Sequence, residues 1–554
     1  MICHAENVPE TNEDAFGYYA NMTIYVPENS VEAYKSATPW NEHKILPIGG
    51  VGFVNYENYT LKFVVTDSET KECNVSCYIK PTVETELTIP SNVKIDNEEY
   101  SVTSVADSAF LNCSKFVGDL VLPNSVTSVG VRAFRDCVGF NGSLILSENL
   151  KTVKDLAFAG GGDKIVNYTG ILNIPSSLTS IGSYAFQNAI GLTGIVVEEG
   201  NTVYDSRKNC NAIVETSTNT IIFGCQNSTI PDGITSIGKS AFLNCTGLET
   251  VEIPNSIVSI GSSAFNGSGL SGELVIPNSV TTIEEQAFRG CVGLTGDLII
   301  PNSVTYLGGT AFWDCSGFNG KLTLSENIDT IFGYTFAAYD NEMHFTGDLI
   351  IPNNVKYIGD AAFQNCVDLK HVGFDNIEDS QLTFVGDWAF TMCSSLTSVD
   401  IPSGVKHIGK YGYNCEKLKE VRCYAENVPE SEETTFEECP SSMKIYVPNS
   451  SVNKYKSKQP WKNFMILPLN DAVSEQSSSF NVYPNPVTDN LYIEIDNNVD
   501  EITIYNIAGV VVYQQTMDYG RNSLTIDASG FNNGVYFVKI KSRDQEVIKK
   551  IIKQ

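Results

Sequence analysis

The chain has 554 residues, with 36 Lys and Arg against 65 Asp and Glu, and so a formal net charge of −29 at pH 7. This balance argues against nucleic-acid binding, because the phosphate backbone attracts a basic protein surface. A solvated acidic surface that opposes self-association is the simplest interpretation, and a cationic partner is the alternative.

Residues 1–48 have a near-copy at the other end of the chain. Cys3–Pro9 reads CHAENVP and Cys423–Pro429 reads CYAENVP. Because residues 421–469 follow the last repeat, we interpret them as a closing cap that covers the final strand edge. Residues 1–48 are then the closing cap of a preceding repeat array. They contain no basic and apolar signal-peptide regions, so we expect a longer native product, with a signal peptide and an earlier array before Met1.

Residues 49–100 differ in composition from the segment that follows them. Tyr59–Thr66 and Val75–Ile79 are rich in apolar and β-branched residues, which predicts two strands. No run in the chain reaches the roughly 18 apolar residues that a membrane-spanning helix needs.

Residues 101–420 consist of a repeat of about 23–28 residues. A fixed period in this range indicates a solenoid, in which each coil buries its apolar face against its neighbours. In the copy Leu274–Asp297, Leu274 and Ile276 alternate with outward residues and predict a short strand, which Pro277 ends. We call the Phe or Tyr that recurs in each copy its marker aromatic: Phe110, Phe134, Phe158, Phe186, Phe242, Phe265, Phe288, Phe312, Phe336, Phe363, Phe390, Tyr413 and Phe436.

Most of the 15 cysteines occupy one position of this repeat. Where Cys is absent three residues after the marker aromatic, Gly161, Ala189 or Ser268 is found, and Tyr339 is the exception. The position therefore selects a small residue, and we predict buried free thiols that act as small hydrophobic groups. The nine cysteines concerned are Cys113, Cys137, Cys245, Cys291, Cys315, Cys366, Cys393, Cys415 and Cys439.

Three phrases of the repeat carry a family resemblance: IPNSIVSIG at Ile253–Gly261, AFLNC at Ala241–Cys245 and GLTG at Gly293–Gly296. They resemble the BspA-like leucine-rich repeat family of bacterial and protist surface proteins, over roughly residues 53–469. The resemblance implies a leucine-rich repeat solenoid displayed for binding or adhesion. It also implies that residues 49–100 form an opening cap, with a hairpin that turns near residues 97–98.

Residues 195–233 form a variant coil. Ile213–Val214 and Ile221–Ile222 flank a polar tetrapeptide, which predicts a β-hairpin. If this hairpin is symmetric, Cys210 faces Cys225. The pair is then either a disulfide, as an oxidising compartment would allow, or two unbonded thiols.

Three coils are lengthened after their marker aromatic, at residues 159–169, 337–346 and 371–384. Insertions must leave the stack because the cross-section of a coil is fixed, and they often collect on a binding face. Tyr168, Tyr339 and His344 are therefore candidate partner contacts. Tolerated loop variation without a partner is the alternative.

The composition changes after Leu469. Residues 470–479 are polar and Ser-rich, which indicates a linker. Residues 480–554 contain short alternating strands with turn signals, which predicts a small β-sandwich. The predicted strands are Leu491–Ile495, Ile502–Ile507, Val510–Gln514, Leu524–Ile526, Val535–Ile540 and Val547–Ile552.

The segment 480–554 resembles the C-terminal sorting domain of the bacterial type IX secretion system. The resemblance implies export by that machinery, removal of the domain by a sorting peptidase, and a secreted or surface location associated with the outer membrane. The residues that carry it include Tyr483, Pro484, Asn485, Pro486, Gly534 and Tyr536.

Catalytic motifs are not found. The five histidines show no HExxH or metal-ligand spacing, and neither a GxSxG nucleophile elbow nor a phosphate-binding loop occurs. We therefore expect no enzyme activity and no cofactor. The favoured function is an adhesin that binds an extracellular protein or glycan through the solenoid surface. A structural spacer or surface-layer element without a specific ligand is the alternative.

Overall fold

A computed structural model describes residues 3, 5–11, 16, 22–27, 30–47, 50–162, 164–339, 341–469, 481–483, 486–494, 499–506, 510–516, 523–542 and 545–553. The chain divides into two compact units, Met1–Leu467 and Pro468–Gln554. The first is a mainly β solenoid of stacked coils, and the second consists of two small β-sheets. The predicted fold class is thereby confirmed.

Each coil contains a two-residue strand six and five residues before its marker aromatic. The first residue points outward and the second is buried in most coils, and the strands stack in parallel and in register. We call this stack ladder A. Its strands are Glu98–Val105, Ser128–Val129, Thr152–Val153 and Ser180–Ile181, then Thr220–Gly224, Ser236–Ile237, Ser259–Ile260, Thr282–Ile283 and Tyr306–Leu307, then Thr330–Ile331, Tyr357–Ile358, Phe384–Val385, His407–Ile408 and Glu430–Ser431.

A second set of parallel strands, ladder B, follows the marker aromatics. It is most continuous at the C-terminal end, where six strands form one sheet. Its strands are Thr85–Glu86, Phe116–Val117, Leu120–Val121, Leu144–Ile145, Gly170–Ile174, Leu192–Val197, Ser271–Glu273, Gly293–Thr295, Leu298–Ile299, Leu322–Thr323, Gly347–Ile351, Leu369–Phe374, Ser398–Ile401, Glu420–Cys423, Lys444–Val447 and Met465–Pro468.

The turn around each marker aromatic forms a third stack. The residue two before the marker has a positive φ in twelve coils although it is never Gly; examples are Arg132 at 56° and Trp388 at 56°. This left-handed conformation directs alternate backbone N–H groups at the next coil. Thus Phe134 N donates to Ala157 O at 2.7 Å, and the same bond recurs in most coils. The stack of turns fixes the spacing of the coils.

The marker rings stack face to face inside the solenoid. Phe265, Phe288 and Phe312 have centroids 5.3 Å apart and planes within 13° of parallel. The sequence predicted that the cysteine three residues later fills a small space. It also forms a hydrogen bond. Seven of these thiols donate to the carbonyl of the preceding marker, for example Cys291 Sγ to Phe265 O at 3.1 Å. All nine are free and buried, as predicted.

The two ends of the first unit have the same element order. Thr23–Val26, helix Val31–Lys35, the 3-10 turn Trp40–Glu42 and Lys44–Pro47 correspond to Lys444–Val447, helix Val452–Lys456, the turn Trp461–Asn463 and Met465–Pro468, with a further 3-10 turn at Asn449–Ser451. At the C-terminal end, Trp461 packs edge-on against the last marker, Phe436, at 5.2 Å. Whether residues 1–48 close an earlier array stays a prediction.

Before the first coil, the strands Val51–Asn55, Thr60–Asp67 and Glu72–Ile79 pair antiparallel. Asn92–Ile95 then pairs antiparallel with Glu98–Val105 around Asp96 and Asn97, which both have positive φ. This is the hairpin predicted near residues 97–98. The sequence reading missed the strand at 51–55 because its Gly and Asn residues disfavour a strand.

The predicted hairpin of the variant coil is present and divides the solenoid core. Tyr204–Asp205, Ala212–Glu215 and Thr220–Gly224 pair antiparallel, and a 3-10 turn at Arg207–Asn209 connects the first two strands. Side chains of the strand 212–215 alternate between two separate hydrophobic clusters: Ile213 lies in the N-terminal one, and Ala212 and Val214 in the C-terminal one. We call this division, between the coils of Phe186 and Phe242, the seam.

The disulfide considered for this hairpin is not formed. A bulge shifts the register between Ile213 and Val214, so the hairpin is not symmetric and Cys210 does not face Cys225. Both are buried free thiols, and they lie in the two different hydrophobic clusters. The assumption of a regular two-stranded register was wrong.

The second unit has one sheet of Asn481–Tyr483, Asn490–Glu494 and Ser523–Asp527, and another of Val511–Thr516, Val499–Asn506, Gly534–Ser542 and Gln545–Lys553, in these orders. Alternate residues such as Leu491, Ile493, Ile502 and Ile504 are buried in one shared core. The strand at 481–483 was not predicted from the sequence.

Candidate functional site

The outward column of ladder A changes its chemistry along the solenoid. In the coils before Tyr306 it carries only Ser and Thr, at Ser104, Ser128, Thr152, Ser180, Ser236, Ser259 and Thr282. From Tyr306 onward it reads Tyr306, Thr330, Tyr357, Phe384, His407 and Glu430. The strands pair in register except at the seam and between Tyr306–Leu307 and Thr330–Ile331, so like positions lie side by side within each paired stretch.

The rings of this column stack on one another. Tyr357 and Phe384 have centroids 4.6 Å apart and planes at 10°, and Phe384 and His407 repeat this geometry at 4.6 Å and 12°. Tyr306 lies 5.8 Å from Phe332, the next exposed ring. About 37% of Tyr357 is exposed. Stacking covers the ring faces, so mainly ring edges reach solvent.

A second aromatic column occupies the left-handed position of the turns. Trp388 is 40% exposed and stacks on Tyr411 at 6.2 Å and 9°. In earlier coils Tyr334 lies 5.6 Å from Trp313, and the Arg289 guanidinium lies 4.3 Å from the Trp313 ring centroid, a cation–π contact. We call the aromatic residues of the two columns, together with the adjoining Phe332, the aromatic face: Tyr306, Phe332, Tyr334, Tyr357, Phe384, Trp388, His407 and Tyr411.

Carboxylates border the aromatic face. Tyr306 donates its hydroxyl hydrogen to Glu285 Oε1 at 2.7 Å, which lowers the pKa of Glu285 and raises the pKa of Tyr306 to about 12. Burial, followed by the charges of Asp360 and Asp387, raises the pKa of Tyr357. The face is therefore apolar at its centre and anionic at its rim, which suits a partner with N–H donors or cations around an apolar patch.

Two of the three predicted contact residues lie at the surface. Tyr339 is 70% exposed, and its backbone N–H donates to Asp314 Oδ1 at 3.0 Å. The His344 ring has Nδ1 2.9 Å from Asp368 Oδ2. Both remain proposed contacts, in the lengthened coil that follows the marker Phe336.

The third prediction, that Tyr168 contacts a partner, is wrong. It is completely buried, 6.1 Å from the stacked ring of Phe140, and its hydroxyl has no partner among the described residues. Tyr168-Thr169-Gly170 occupies the place of Leu294-Thr295-Gly296 in a regular coil. The insertion therefore ends before Tyr168, which returns to the core. Comparing these two tripeptides in the sequence would have shown it.

One cluster on ladder B has the residue types of a hydrolase triad. His371 Nδ1 lies 2.8 Å from Ser398 Oγ, and His371 Nε2 lies 3.6 Å from Asp400 Oδ2. The second distance exceeds a hydrogen bond, and the strands of His371 and Ser398 pair in register, which commits their backbone groups to the sheet. Burial raises the pKa of Asp400, against the opposing charges of His371 and Arg422. The cluster lacks the aligned geometry of nucleophilic catalysis.

The residues of the predicted sorting motif have separate structural roles. Tyr483 donates to Glu494 Oε1 at 2.7 Å, and the buried Tyr536 donates to Asn532 O at 2.9 Å. Pro486 and Gly534 are exposed. Pro484, Asn485 and the linker 470–479 lie outside the described residues.

The described part of the chain has no helix with the length and apolar character of a membrane span. Within the same residues, no three His, Cys, Asp or Glu side chains are grouped as metal ligands.

The aromatic face was missed in the sequence because successive positions of each of its columns are 23–27 residues apart. Single exposed aromatic residues carry no signal. Aligning the coils and following the residue six before each marker aromatic would have shown Ser and Thr giving way to Tyr, Phe and His.

Two protein families match the chain. The BspA type leucine-rich repeat region matches residues 103–223, 222–341 and 338–459. The secretion system C-terminal sorting domain matches residues 481–554. A curated protein, the ulvan lyase NLR42 of Nonlabens ulvanivorans, is 34% identical over 76 residues. That match covers 13% of this chain and only 14% of the enzyme.

Solved structures of bacterial leucine-rich repeat proteins are also similar. One from Bacteroides ovatus is 20% identical, with a TM-score of 0.42, and the match covers 76% of this chain and 99% of that one. A leucine-rich cell surface protein from Faecalibacterium prausnitzii is 21% identical, with a TM-score of 0.38, over 75% of this chain and 97% of that one. The pneumococcal vaccine antigen PcpA is 15% identical, with a TM-score of 0.37, over 76% and 99%.

Proposed function

The chain belongs to the BspA-type leucine-rich repeat family, and from that premise we propose that it is a non-enzymatic adhesin whose aromatic face binds an extracellular protein. Its C-terminal sorting domain makes it a protein exported by type IX secretion, either secreted or displayed on the surface. Repeat proteins of this fold are not enzymes in general.

The change from Ser and Thr to aromatic residues in one outward column carries this proposal. A spacer needs only soluble outward residues, and the coils before Tyr306 have them. The fold does not require exposed Tyr, Phe or Trp at this position, since Ser and Thr fill the same column in the earlier coils. Aromatic residues are enriched in protein interfaces because they bury a large rigid surface at a low cost in conformational entropy. The second half of the solenoid is therefore the binding half.

The stacking geometry favours a protein over a glycan as the partner. Sugars bind aromatic residues through the open face of a ring, and the faces of Tyr357, Phe384 and His407 are mostly covered by one another. An apolar surface of ring edges inside an anionic rim suits a protein patch with apolar side chains surrounded by Lys or Arg. Tyr339 and His344 would supply further contacts from the lengthened coil.

The test is surface plasmon resonance of the purified chain on a panel of immobilised extracellular matrix proteins. The double variant Tyr357→Ser and Phe384→Ser places in both coils a residue that the same column holds elsewhere, so the fold should be kept. We expect at least one bound protein and at least a tenfold loss of affinity in this variant. The matched control is Val121→Ser with Ile145→Ser, which removes two exposed apolar residues, paired in register, from ladder B.

The outcomes separate three functions. Equal affinities of the two double variants would exclude the aromatic face as the binding site. Binding that disappears when the panel is enzymatically deglycosylated would show a glycan ligand. No binding to any member of the panel would favour the structural spacer or surface-layer element.

The sorting domain supports the remaining proposals on partners and location. The type IX secretion machinery would recognise the folded sheets of residues 481–554. A sorting peptidase would then cleave the Ser-rich linker, because polar segments that join two folded units are preferred sites of proteolysis. The mature solenoid would remain at the outer membrane or be released.

A further inference from the structure

A pocket lies at the seam, and none of its lining residues belongs to the aromatic face. Its volume is about 330 Å³, within the range of roughly 300–1,000 Å³ typical of small-molecule sites. One wall is the turn Ile181–Gln187, and the other is Gly238–Ser240 of the next regular coil. The hairpin closes it with Glu215, Thr220 and Phe223.

The pocket exists because the stack of turns is interrupted at the seam. In the preceding coil, Leu156 N and Phe158 N donate to Ser183 O and Ala185 O. The equivalent donors one coil later, Tyr184 N and Phe186 N, have no such acceptor among the described residues. Ala241 O, which would receive one of these bonds, accepts instead from Gly224 N of the hairpin at 2.9 Å.

Lys239 O on the far wall also lacks a backbone donor within the described part of the chain. The N–H groups of Tyr184 and Phe186 on one wall therefore face the carbonyl of Lys239 on the other. Buried backbone groups are almost always hydrogen-bonded, so their absence from the ladder needs an explanation. A molecule bound between the walls would both accept from one wall and donate to the other.

Aromatic and charged side chains define what the pocket can hold. The Phe223 ring lies 5.4 Å from Phe186 and is tilted by 36° to it, and Tyr184 lies at the wall. Lys239 Nζ lies 5.3 Å from the Tyr184 ring centroid, and its pKa is raised by the hydroxyl of Tyr184 and by Glu284 and Glu285. Lys239 keeps its positive charge and Glu215 adds a negative one, so the lining carries no net formal charge and favours a neutral ligand.

The buried Tyr204 seals the base of the gap. Its hydroxyl accepts from Ile181 N at 3.0 Å, a bond that replaces the missing strand of ladder A, and burial raises its pKa. The Ile181 N–H is therefore satisfied without a neighbouring strand of ladder A.

We propose that the seam pocket binds a small neutral saccharide. Sugar hydroxyl groups donate and accept within a few ångströms, which matches two N–H donors opposite a carbonyl. Their C–H faces pack on aromatic rings such as Tyr184 and Phe223. The site is distinct from the aromatic face, and neither requires the other.

The test is isothermal titration calorimetry of the full chain with glucose, galactose, mannose, N-acetylglucosamine and lactose, each confirmed by saturation-transfer NMR. A hexose-sized ligand is expected to bind with a Kd on the order of 1 mM. Tyr184→Ser should weaken binding roughly five- to tenfold through the lost ring contact. Ser240→Phe should abolish binding by filling the pocket.

The matched control is Ser263→Phe, the same substitution at the same turn position one coil later and outside the pocket. Tyr184, Tyr334 and Tyr411 occupy this position in other coils, so an aromatic residue is compatible with the turn. Circular dichroism and thermal melts establish that each variant is folded. Unchanged affinity in Ser240→Phe, or no binding of any sugar in the panel, would overturn the proposal and leave water as the occupant.

Discussion

Replacing Phe288 by Ala tests whether the marker stack or the cysteine ladder holds the solenoid together. Phe288 is fully buried, and its ring lies 5.3 Å from both Phe265 and Phe312. Truncation of a buried Phe costs about 3–5 kcal/mol, depending on how far the site can collapse. Here collapse is opposed by the turn bonds Phe265 N to Ala287 O and Phe288 N to Ala311 O, at 2.7 and 2.8 Å. We therefore expect a loss of about 4–5 kcal/mol in the free energy of unfolding.

The companion variant Cys291→Ala should cost only about 1 kcal/mol, since it removes one small group and one weak hydrogen bond. Phe265 O, which accepts from the Cys291 thiol, keeps its backbone bond from Ser268 N at 2.9 Å. Burial raises the pKa of Cys291 to about 11, so at neutral pH the thiol keeps the hydrogen that it donates. Cys291→Ser should lose less than Cys291→Ala, because a hydroxyl retains a donor.

Urea unfolding followed by far-ultraviolet circular dichroism measures these differences. Because the core is divided at the seam, the C-terminal cluster and the N-terminal cluster should be fitted as separate transitions, and the comparison uses the C-terminal one. Equal losses for Phe288→Ala and Cys291→Ala would refute the reasoning. Labelling of the unfolded, unreduced protein should find most cysteines reactive, and a low thiol count would contradict the free-thiol ladder.

Three further results are expected. Tyr168→Phe should raise the free energy of unfolding by about 1 kcal/mol in urea, because it removes a buried hydroxyl without a described partner; a loss would reveal a hidden one. Tyr306→Phe removes the hydrogen bond to Glu285 and should therefore raise the pKa of Glu285. The stability that this hydrogen bond adds is present above the pKa of an unfolded Glu, and it is lost as pH falls through the lowered pKa of the folded protein. Nuclear magnetic resonance titration checks it, and an unchanged pKa contradicts it. Mass spectrometry of surface-shaved protein should place the mature C-terminus within residues 470–479. Recovery of sorting-domain peptides in full stoichiometry would contradict this prediction.

Features that depend on one repeated position could be read from the sequence. The marker aromatics, the free cysteines and the strand that ends at Pro277 recur with the period, so each copy supports the others. Most strands of the second unit follow from local turn and alternation signals, whereas the hairpin near residues 97–98 was expected from the family resemblance. Each of these rests on interactions within one coil or between neighbours in sequence.

Features that depend on the register between distant residues could not be predicted from the sequence. The bulge beside Ile213 shifts the pairing of the hairpin by one residue, and no local signal marks it. Tyr168 looked like part of a loop because the insertion was taken to extend as far as Thr169. The seam pocket arises from the loss of backbone hydrogen bonds between coils whose markers, Phe186 and Phe242, are 56 residues apart. Backbone hydrogen bonds do not depend on residue type, so the sequence does not show where they are lost.

The hairpin at the seam makes the two halves of the solenoid independent of each other's length. Tandem repeats gain and lose copies when recombination aligns one copy with its neighbour, and each event changes the chain by whole coils. Buried apolar side chains on either side of the seam belong to separate clusters. A coil lost between Phe110 and Phe186 would leave the packing beneath Tyr357 and Phe384 unaltered. Selection can therefore shorten or extend the N-terminal half while the C-terminal half is inherited intact.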